Sequence, residues 1–508
     1  MGEFMTAKTL MIQGTSSSAG KSLLVAALCR IYARRGVRVA PFKAQNMSNN
    51  AAVCPDGAEI GRAQAVQAMG ARIEPTADMN PILLKPEADA RSQVIVMGRP
   101  WRTLRAGRYY EHKRDLWSVV TAALDRLRDA YELVIIEGAG SPAEVNLKAG
   151  DIVNMAVARY AQAPVLLVGD IDRGGIFAQL LGTLWLLDPE ELRLVKGLVV
   201  NKFRGDPALF ADGIRILEER GGVPVAGMIP FLRDLGIPEE DAVAIENLKH
   251  QALNPEADSA MIDIAVIALP RIANFDDFDP LAAEPGVRVR YVSTRQTLGS
   301  PQAVILPGTK STMADLKWLQ AQGLVGAIQE LAAAGRAVVG ICGGYQMLGR
   351  SIRDPDHAES SDDVVPGLGL LAAETVFERE KATHRAQARL LGGPGWLADL
   401  AGQMVSGYEI HMGHTQGDSA WLEITERSGT PVNLPDGIVN RNGRIWGCYL
   451  HGLFENQALR QAWLSSLGWQ AEKGQDQVIA GYEEGFERLA DAVETALDMD
   501  YLEELIAS

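Results

Sequence analysis

The chain has 508 residues, 47% apolar and 22% charged, and a formal net charge of −15. That length holds two or three domains, each able to bury its own core, and the composition is that of a soluble globular protein. The acidic balance excludes a general nucleic-acid binder, which needs a basic face, so any anionic ligand must be drawn in by local Lys and Arg. Four unevenly spaced cysteines exclude a disulfide framework or a zinc pattern and fit a reducing cytoplasm. No apolar run reaches membrane-spanning length.

Residues 9–13 read as a buried strand that ends at a Gly-rich loop, Gly14-Thr15-Ser16-Ser17-Ser18-Ala19-Gly20-Lys21-Ser22. A helix follows over 22–35 and a second strand over 37–41. This order predicts an α/β fold with a parallel sheet and helices on both faces. Further apolar runs at 133–136, 165–168 and 198–200 are each followed within two residues by Gly, Asp or Asn. In open parallel sheets ligands bind at the carboxyl ends of strands, so these polar residues point to one crevice. The stretch 241–260 reads as a linker. A second α/β series runs through 262–269, 289–292, 303–306 and 337–341, and an acidic amphipathic helical tail occupies 475–508. The expected organisation is therefore 5–240, linker 241–260, 261–474 and tail 475–508. Each of the two domains is expected to be built on a mostly parallel sheet.

Backbone N–H groups of a Gly-rich turn and the helix behind it cradle phosphate oxygens. Gly14, Thr15 and Gly20 supply that cradle, Lys21 neutralises β/γ-phosphate charge, and Ser22 ligates Mg²⁺. Five residues separate Gly14 from Gly20, where the usual loop has four. Lys43 closes the second strand at the crevice, and Asn201-Lys202-Phe203-Arg204-Gly205-Asp206 after the strand 198–200 resembles a base-recognition loop; that likeness implies γ-phosphate as the partner of Lys43 and adenine as that of the Asn201 amide.

In the second series, Gly340-Ile341-Cys342-Gly343-Gly344 puts a thiol at a strand-to-helix turn, with the helix beginning near 346. Such an elbow exposes a nucleophile, aims the next backbone N–H, that of Gly343, at a developing oxyanion, and favours thiolate. Gly308, after the strand 303–306, offers a second donor. A thiol nucleophile needs a base. His451 follows a short apolar strand late in the domain and fits that role. Glu455 is the nearby acid, but the reading adopted is a Cys342–His451 dyad.

These motifs carry several resemblances. The long phosphate loop resembles that of dethiobiotin synthetase and its relatives. In that family a metal ligand stands where this chain has Glu137, with Glu59 matching a second carboxylate. The Cys342 and His451 segments resemble class I glutamine amidotransferases, although most of that class carries His-x-Glu where this chain has Leu453. Gln45-Asn46-Met47-Ser48-Asn49-Asn50, Ser92-Gln93-Val94-Ile95-Val96, Gly169 to Gly175 and Tyr408 to His414 extend the likeness over nearly the whole chain. Together they resemble the cobyric acid synthase family of the cobalamin pathway.

That resemblance implies glutamine- and ATP-dependent amidation of the b, d, e and g carboxylates of adenosylcobyrinic acid a,c-diamide, through an acyl phosphate and ammonia released at the thiol site. It implies ATP and Mg²⁺ as cofactors, glutamine as ammonia donor, no tightly bound cofactor, a corrinoid small-molecule substrate, and neither nucleic-acid nor membrane partners. Gln45, Asn46 and Asn49 offer neutral donors and acceptors for that substrate, and Asp172 and Arg173 help place it. The runner-up readings are a cobyrinic acid a,c-diamide synthase and another P-loop amidoligase. A partitioning ATPase is disfavoured, since it has no cysteine elbow and places a Lys early in the loop.

Overall fold

The computed structural model describes residues 6–88, 91–109, 112–233, 235–238, 261–418, 420–470 and 477–508. The expected linker, 241–260, lies outside them. In the first domain six parallel strands run in the order Val225–Pro230, Val195–Phe203, Val165–Asp170, Lys8–Gly14, Leu133–Glu137 and Val39–Phe42. Leu10, Ile12, Ile135 and Val168 are fully buried, as expected for strands covered by helices on both faces. Register places Ile12 beside Glu137 and Gly14 beside Val168, so the strand feeding the phosphate loop is central.

Helix α1 (Lys21–Arg34) leaves that loop. Helix α2 (Arg62–Gly70) packs on α1 and springs from a hairpin of Ala51–Val53 and Glu59–Gly61. A separate four-stranded sheet takes Gln45–Met47, Ile82–Ala88, Arg91–Val96 and Arg99–Arg105.

The second sheet has eleven strands among the described residues. Its parallel part runs Val287–Val292, Ile262–Ile267, Ala303–Leu306, Ala337–Ile341 and Ile445–Cys448. It continues antiparallel through Thr430–Val439, Ala420–Arg427 and Ala373–Leu390, the last pairing with Met404–Gly417. The reading of apolar runs did not reach this antiparallel part. Over Ala373–Leu390 buried positions alternate irregularly with exposed ones, and a strand wetted on one face presents no continuous apolar run.

The helix after Cys342 spans Gly343–Leu348, starting three residues earlier than expected. Glycines weaken helix propensity, but here packing requires one: a Cβ on Gly344 would stand 1.9 Å from the Leu306 carbonyl oxygen. The tail forms helices Gln477–Ala496 and Met499–Ala507, which fold back onto the first domain. Phe486, Leu489, Val493, Leu497 and Leu502 share a core with Leu10, Ile12 and Leu24. The fully buried Arg30 of α1 meets Glu483 at 2.7 Å. Among the described residues no helix is long and apolar enough to cross a membrane.

Candidate active sites

The phosphate loop borders a crevice of about 510 Å³ lined by Gly20, Lys21, Ser22, Asn201, Arg204 and Phe231. Lys21 Nζ donates to the carbonyls of Ser16 at 2.8 Å and of Ser17 and Gly140 at 3.3 Å, which holds its ammonium inside the loop. Thr15 Oγ1 bonds Gln179 at 3.1 Å. Gly20 adopts φ +92°, and a Cβ there would fall 2.2 Å from Asn201 Nδ2. Asn201 itself braces the loop rather than presenting a free amide edge to a base. Its Nδ2 donates to Ala19 O at 2.8 Å and its Oδ1 accepts from Lys202 N at 2.8 Å.

Glu137, 1% exposed, closes the strand beside the loop. Its Oε1 accepts from Ser22 Oγ and Lys43 Nζ, each at 2.8 Å, and its Oε2 from Gln67 Nε2 at 2.5 Å. Burial alone would raise its pKa. The Lys43 charge and the three donated bonds outweigh burial and hold it below the usual carboxylate range. The Ser22 hydroxyl and Glu137 carboxylate are hard oxygen donors side by side, a set that fits Mg²⁺ completed by phosphate and water.

Other expected site residues have different surroundings. Glu59 does not join that cluster: it is fully buried, with Oε1 on Lys85 at 2.7 Å and Oε2 on Lys381 of the second domain. Burial raises its pKa and the two lysines more than reverse that, to about 2. A carboxylate enclosed by two ammonium groups is a poor cation ligand, and the spacing from Gly57 could not reveal lysines arriving from elsewhere. Asp172 and Arg173 line the nucleotide crevice, which Gln45, Asn46 and Asn49 do not. Asp172 pairs with Arg204 at 2.6 Å, and Arg173 lies 3.7 Å from Asp170. Gln45 accepts from the Tyr109 hydroxyl, Asn46 Nδ2 donates to Gln64 at 3.1 Å, and Asn49 Oδ1 is buried without a partner among the described residues.

In the second domain Cys342 sits at φ 52°, ψ −111°, a conformation rare for a residue with a Cβ and characteristic of a strained nucleophile turn. Gly343 opens the helix, so its N–H lacks an intrahelical partner. Gly308 lies against the imidazole, a Cβ there falling 2.9 Å from His451 Cε1. His451 and Cys342 line one cavity, the Cys342 thiol donating to Ile410 O at 3.4 Å, and the His451 Nδ1 meets Asp277 Oδ2 at 2.6 Å. Asp277 Oδ1 also accepts from Gly452 N at 2.9 Å. The carboxylate that meets the imidazole is therefore Asp277 and not Glu455, an arrangement with the geometry of a Cys–His–Asp triad. Asp277 lies in the turn Phe275–Phe278, just past the first strand of the domain. The rule that sites gather at strand carboxyl ends was the available signal for it. Burial lowers the His451 pKa, and the charges of Asp277 and Cys342 overcome this, raising it to about 10. Cys29, Cys54 and Cys448 are buried thiols, raised by desolvation.

A cavity of about 860 Å³ opens on Cys342 and His451, with Lys85, Arg271, Lys310 and Lys381 among its lining. It lies on the seam between the domains, since Lys85 comes from the first and the others from the second. Arg62, from α2, crosses this seam too. Its guanidinium stands 2.5 Å from Asp276 Oδ2 and donates to the Tyr408 hydroxyl at 2.8 Å. Asn50 and Asn274 clasp the two segments together: Asn274 N donates to Asn50 Oδ1 at 2.7 Å and Ala51 N to Asn274 Oδ1 at 2.9 Å.

Residues 10–242 match the CobQ/CobB/MinD/ParA nucleotide binding domain, and residues 263–459 match the CobB/CobQ-like glutamine amidotransferase domain. The chain is 55% identical to the cobyric acid synthase of Chloroflexus aurantiacus over 99% of its own length and 100% of that protein's. It is 56% identical to that of Chloroflexus aggregans, with 99% of each chain covered, and 54% identical to that of Herpetosiphon aurantiacus at the same coverage.

Proposed function

The chain belongs to the cobyric acid synthase family, and on that premise we propose that it amidates the b, d, e and g carboxylates of adenosylcobyrinic acid a,c-diamide to give adenosylcobyric acid. It is an ATP-using, glutamine-dependent carbon–nitrogen ligase of cobalamin biosynthesis. In this reading residues 5–240 are the synthetase domain, 241–260 the linker, 261–474 the glutaminase and 475–508 a helical tail. The observation that carries it is the pairing, in one chain, of a phosphate-loop crevice with a Cys342–His451–Asp277 triad.

A carboxylate is a poor electrophile. Attack of a substrate carboxylate oxygen on the γ-phosphorus of ATP forms an acyl phosphate and releases ADP. Lys21 and Lys43 supply positive charge where the migrating phosphoryl carries negative charge. Mg²⁺, held by Ser22 and Glu137, would supply further charge neutralisation there. In the glutaminase, Cys342 Sγ attacks the amide carbon of glutamine while the Gly343 N–H faces the oxyanion. His451, protonated and fixed by Asp277, gives its proton to the departing ammonia, and water then cleaves the thioester to glutamate. Ammonia displaces phosphate from the acyl phosphate, leaving the amide. Gln45, Asn46 and Asn49 suit a substrate that changes from carboxylate to amide at several positions.

The test follows the mass of the diamide incubated with the protein, glutamine, ATP and Mg²⁺. Four successive carboxyl-to-amide shifts are expected, and no shift with a competent substrate would refute the reading. Cys342→Ala should abolish glutamine use while retaining synthesis from added ammonia; loss of both would make Cys342 structural.

A further inference from the structure

His451 depends for its orientation on Asp277, and Asp277 sits in a short turn that the first domain holds at two points. One is the Asn50–Asn274 clasp, three residues before the acid. The other is Arg62. It pairs with Asp276, the immediate neighbour of Asp277, and bonds Tyr408. The Tyr408 ring stacks on the His451 imidazole, with centroids 5.1 Å apart and planes 13° from parallel, and the two backbones pair reciprocally. Arg62 thus touches both supports of His451, its acid's neighbour and its stacking partner, without contacting the thiol. The charge balance points the same way. Asp276 and Asp277 are two buried carboxylates beside one guanidinium, and the exposed Glu455 adds a third negative charge near it.

We propose that Arg62 of the synthetase domain is a positioning residue for the glutaminase triad, so that Asp277 meets His451 correctly only while the two domains are docked. This rests on the glutaminase role given above to Cys342 and His451. Its consequence is that ammonia release is conditional on an intact seam, which limits wasteful hydrolysis of glutamine.

The test uses the full chain with Arg62→Ala and Arg62→Lys. The measurements are kcat and KM for glutamine hydrolysis, turnover with added ammonia, and the pH profile of Cys342 alkylation by iodoacetamide. For Arg62→Ala, glutamine kcat should fall at least about tenfold, with KM and ammonia-driven turnover within about twofold. The alkylation profile should shift from that of the unaltered chain, and Arg62→Lys should restore part of both. Unchanged kcat and an unchanged profile would overturn the proposal. So would an equal fall in glutamine- and ammonia-driven turnover, which would place Arg62 in the synthetase reaction or the fold. Should Arg62→Ala fail to fold, Asn50→Ala releases the same turn and must give the same split. Absence of glutamine hydrolysis in the unaltered chain would sink the underlying reading, and this one with it.

Discussion

Asp277 and His451 stand 174 residues apart in sequence and 2.6 Å apart in space. Local spacing made Glu455 the visible acid, whereas the orienting carboxylate is delivered by topology. Cys342 and His451 could be singled out because each follows a strand within a Gly-flanked segment. Asp277→Asn should lower glutamine kcat by about 10²- to 10⁴-fold while ammonia-driven synthesis persists. Parallel loss of both activities would contradict the triad. The raised His451 pKa also sets a pH window. Its pairing stabilises the fold fully below about pH 6.5, and this contribution fades as pH climbs toward about 10. Denaturant midpoints should therefore fall less steeply over that range in Asp277→Asn than in the parent. Glu59 behaves oppositely. Depressed to about 2, it stabilises above the ordinary carboxylate range, and that contribution is lost as pH falls through about 2. Glu59→Gln leaves Lys85 and Lys381 buried without their carboxylate and should cost about 3–5 kcal/mol, read as a lower denaturant midpoint. A shift under about 1 kcal/mol would mean that the lysines are already compensated.

At the scale of elements, the strand-loop-helix order at both sites was readable, because continuous apolar runs interrupted by Gly announce buried parallel strands. Two things were not. The antiparallel extension is half wetted, so its pattern breaks. The start of the elbow helix is hidden because Gly343 and Gly344 oppose helix propensity, and only the close pass of Leu306 explains them. Gly344→Ala should therefore cost about 3 kcal/mol by overpacking against backbone that has no rotamer to yield. Thermal unfolding checks it, and a normal melting temperature with full glutamine turnover would show that the strand of Leu306 moves aside. Helix α2 carries Arg62 at its first residue and Gln67 five residues on, so one short rod of about 7.5 Å joins the acid turn of the glutaminase to Glu137 beside the phosphate loop. Nothing in its nine residues signalled that, since both roles depend on partners from distant segments.

For the molecule as a whole, the two domains meet along a seam that carries both ion pairs and a small apolar cluster of Ala51, Val53, Leu83 and Ile95 with Tyr408 and Ile410, while the tail completes the core of the first domain. The amphipathic character of the tail was legible; its destination was not, because an apolar stripe does not name the surface it covers. Its five large buried side chains, Phe486, Leu489, Val493, Leu497 and Leu502, contribute roughly 1.5–3 kcal/mol each, comparable with the ~5–15 kcal/mol total of an ordinary domain. A chain ending at residue 474 should accordingly lose ATP binding and take up an apolar dye, and retention of a normal melting curve would refute this assignment. The same arrangement bears on biosynthesis. A ribosome adding about 5–20 residues per second needs on the order of 10–50 s to travel from Pro230 to Gln477. Throughout that interval the outer face of α1 lacks its cover. The domain made first is the one finished last, and a translational pause before Gln477 leaves it open to chaperones and proteases.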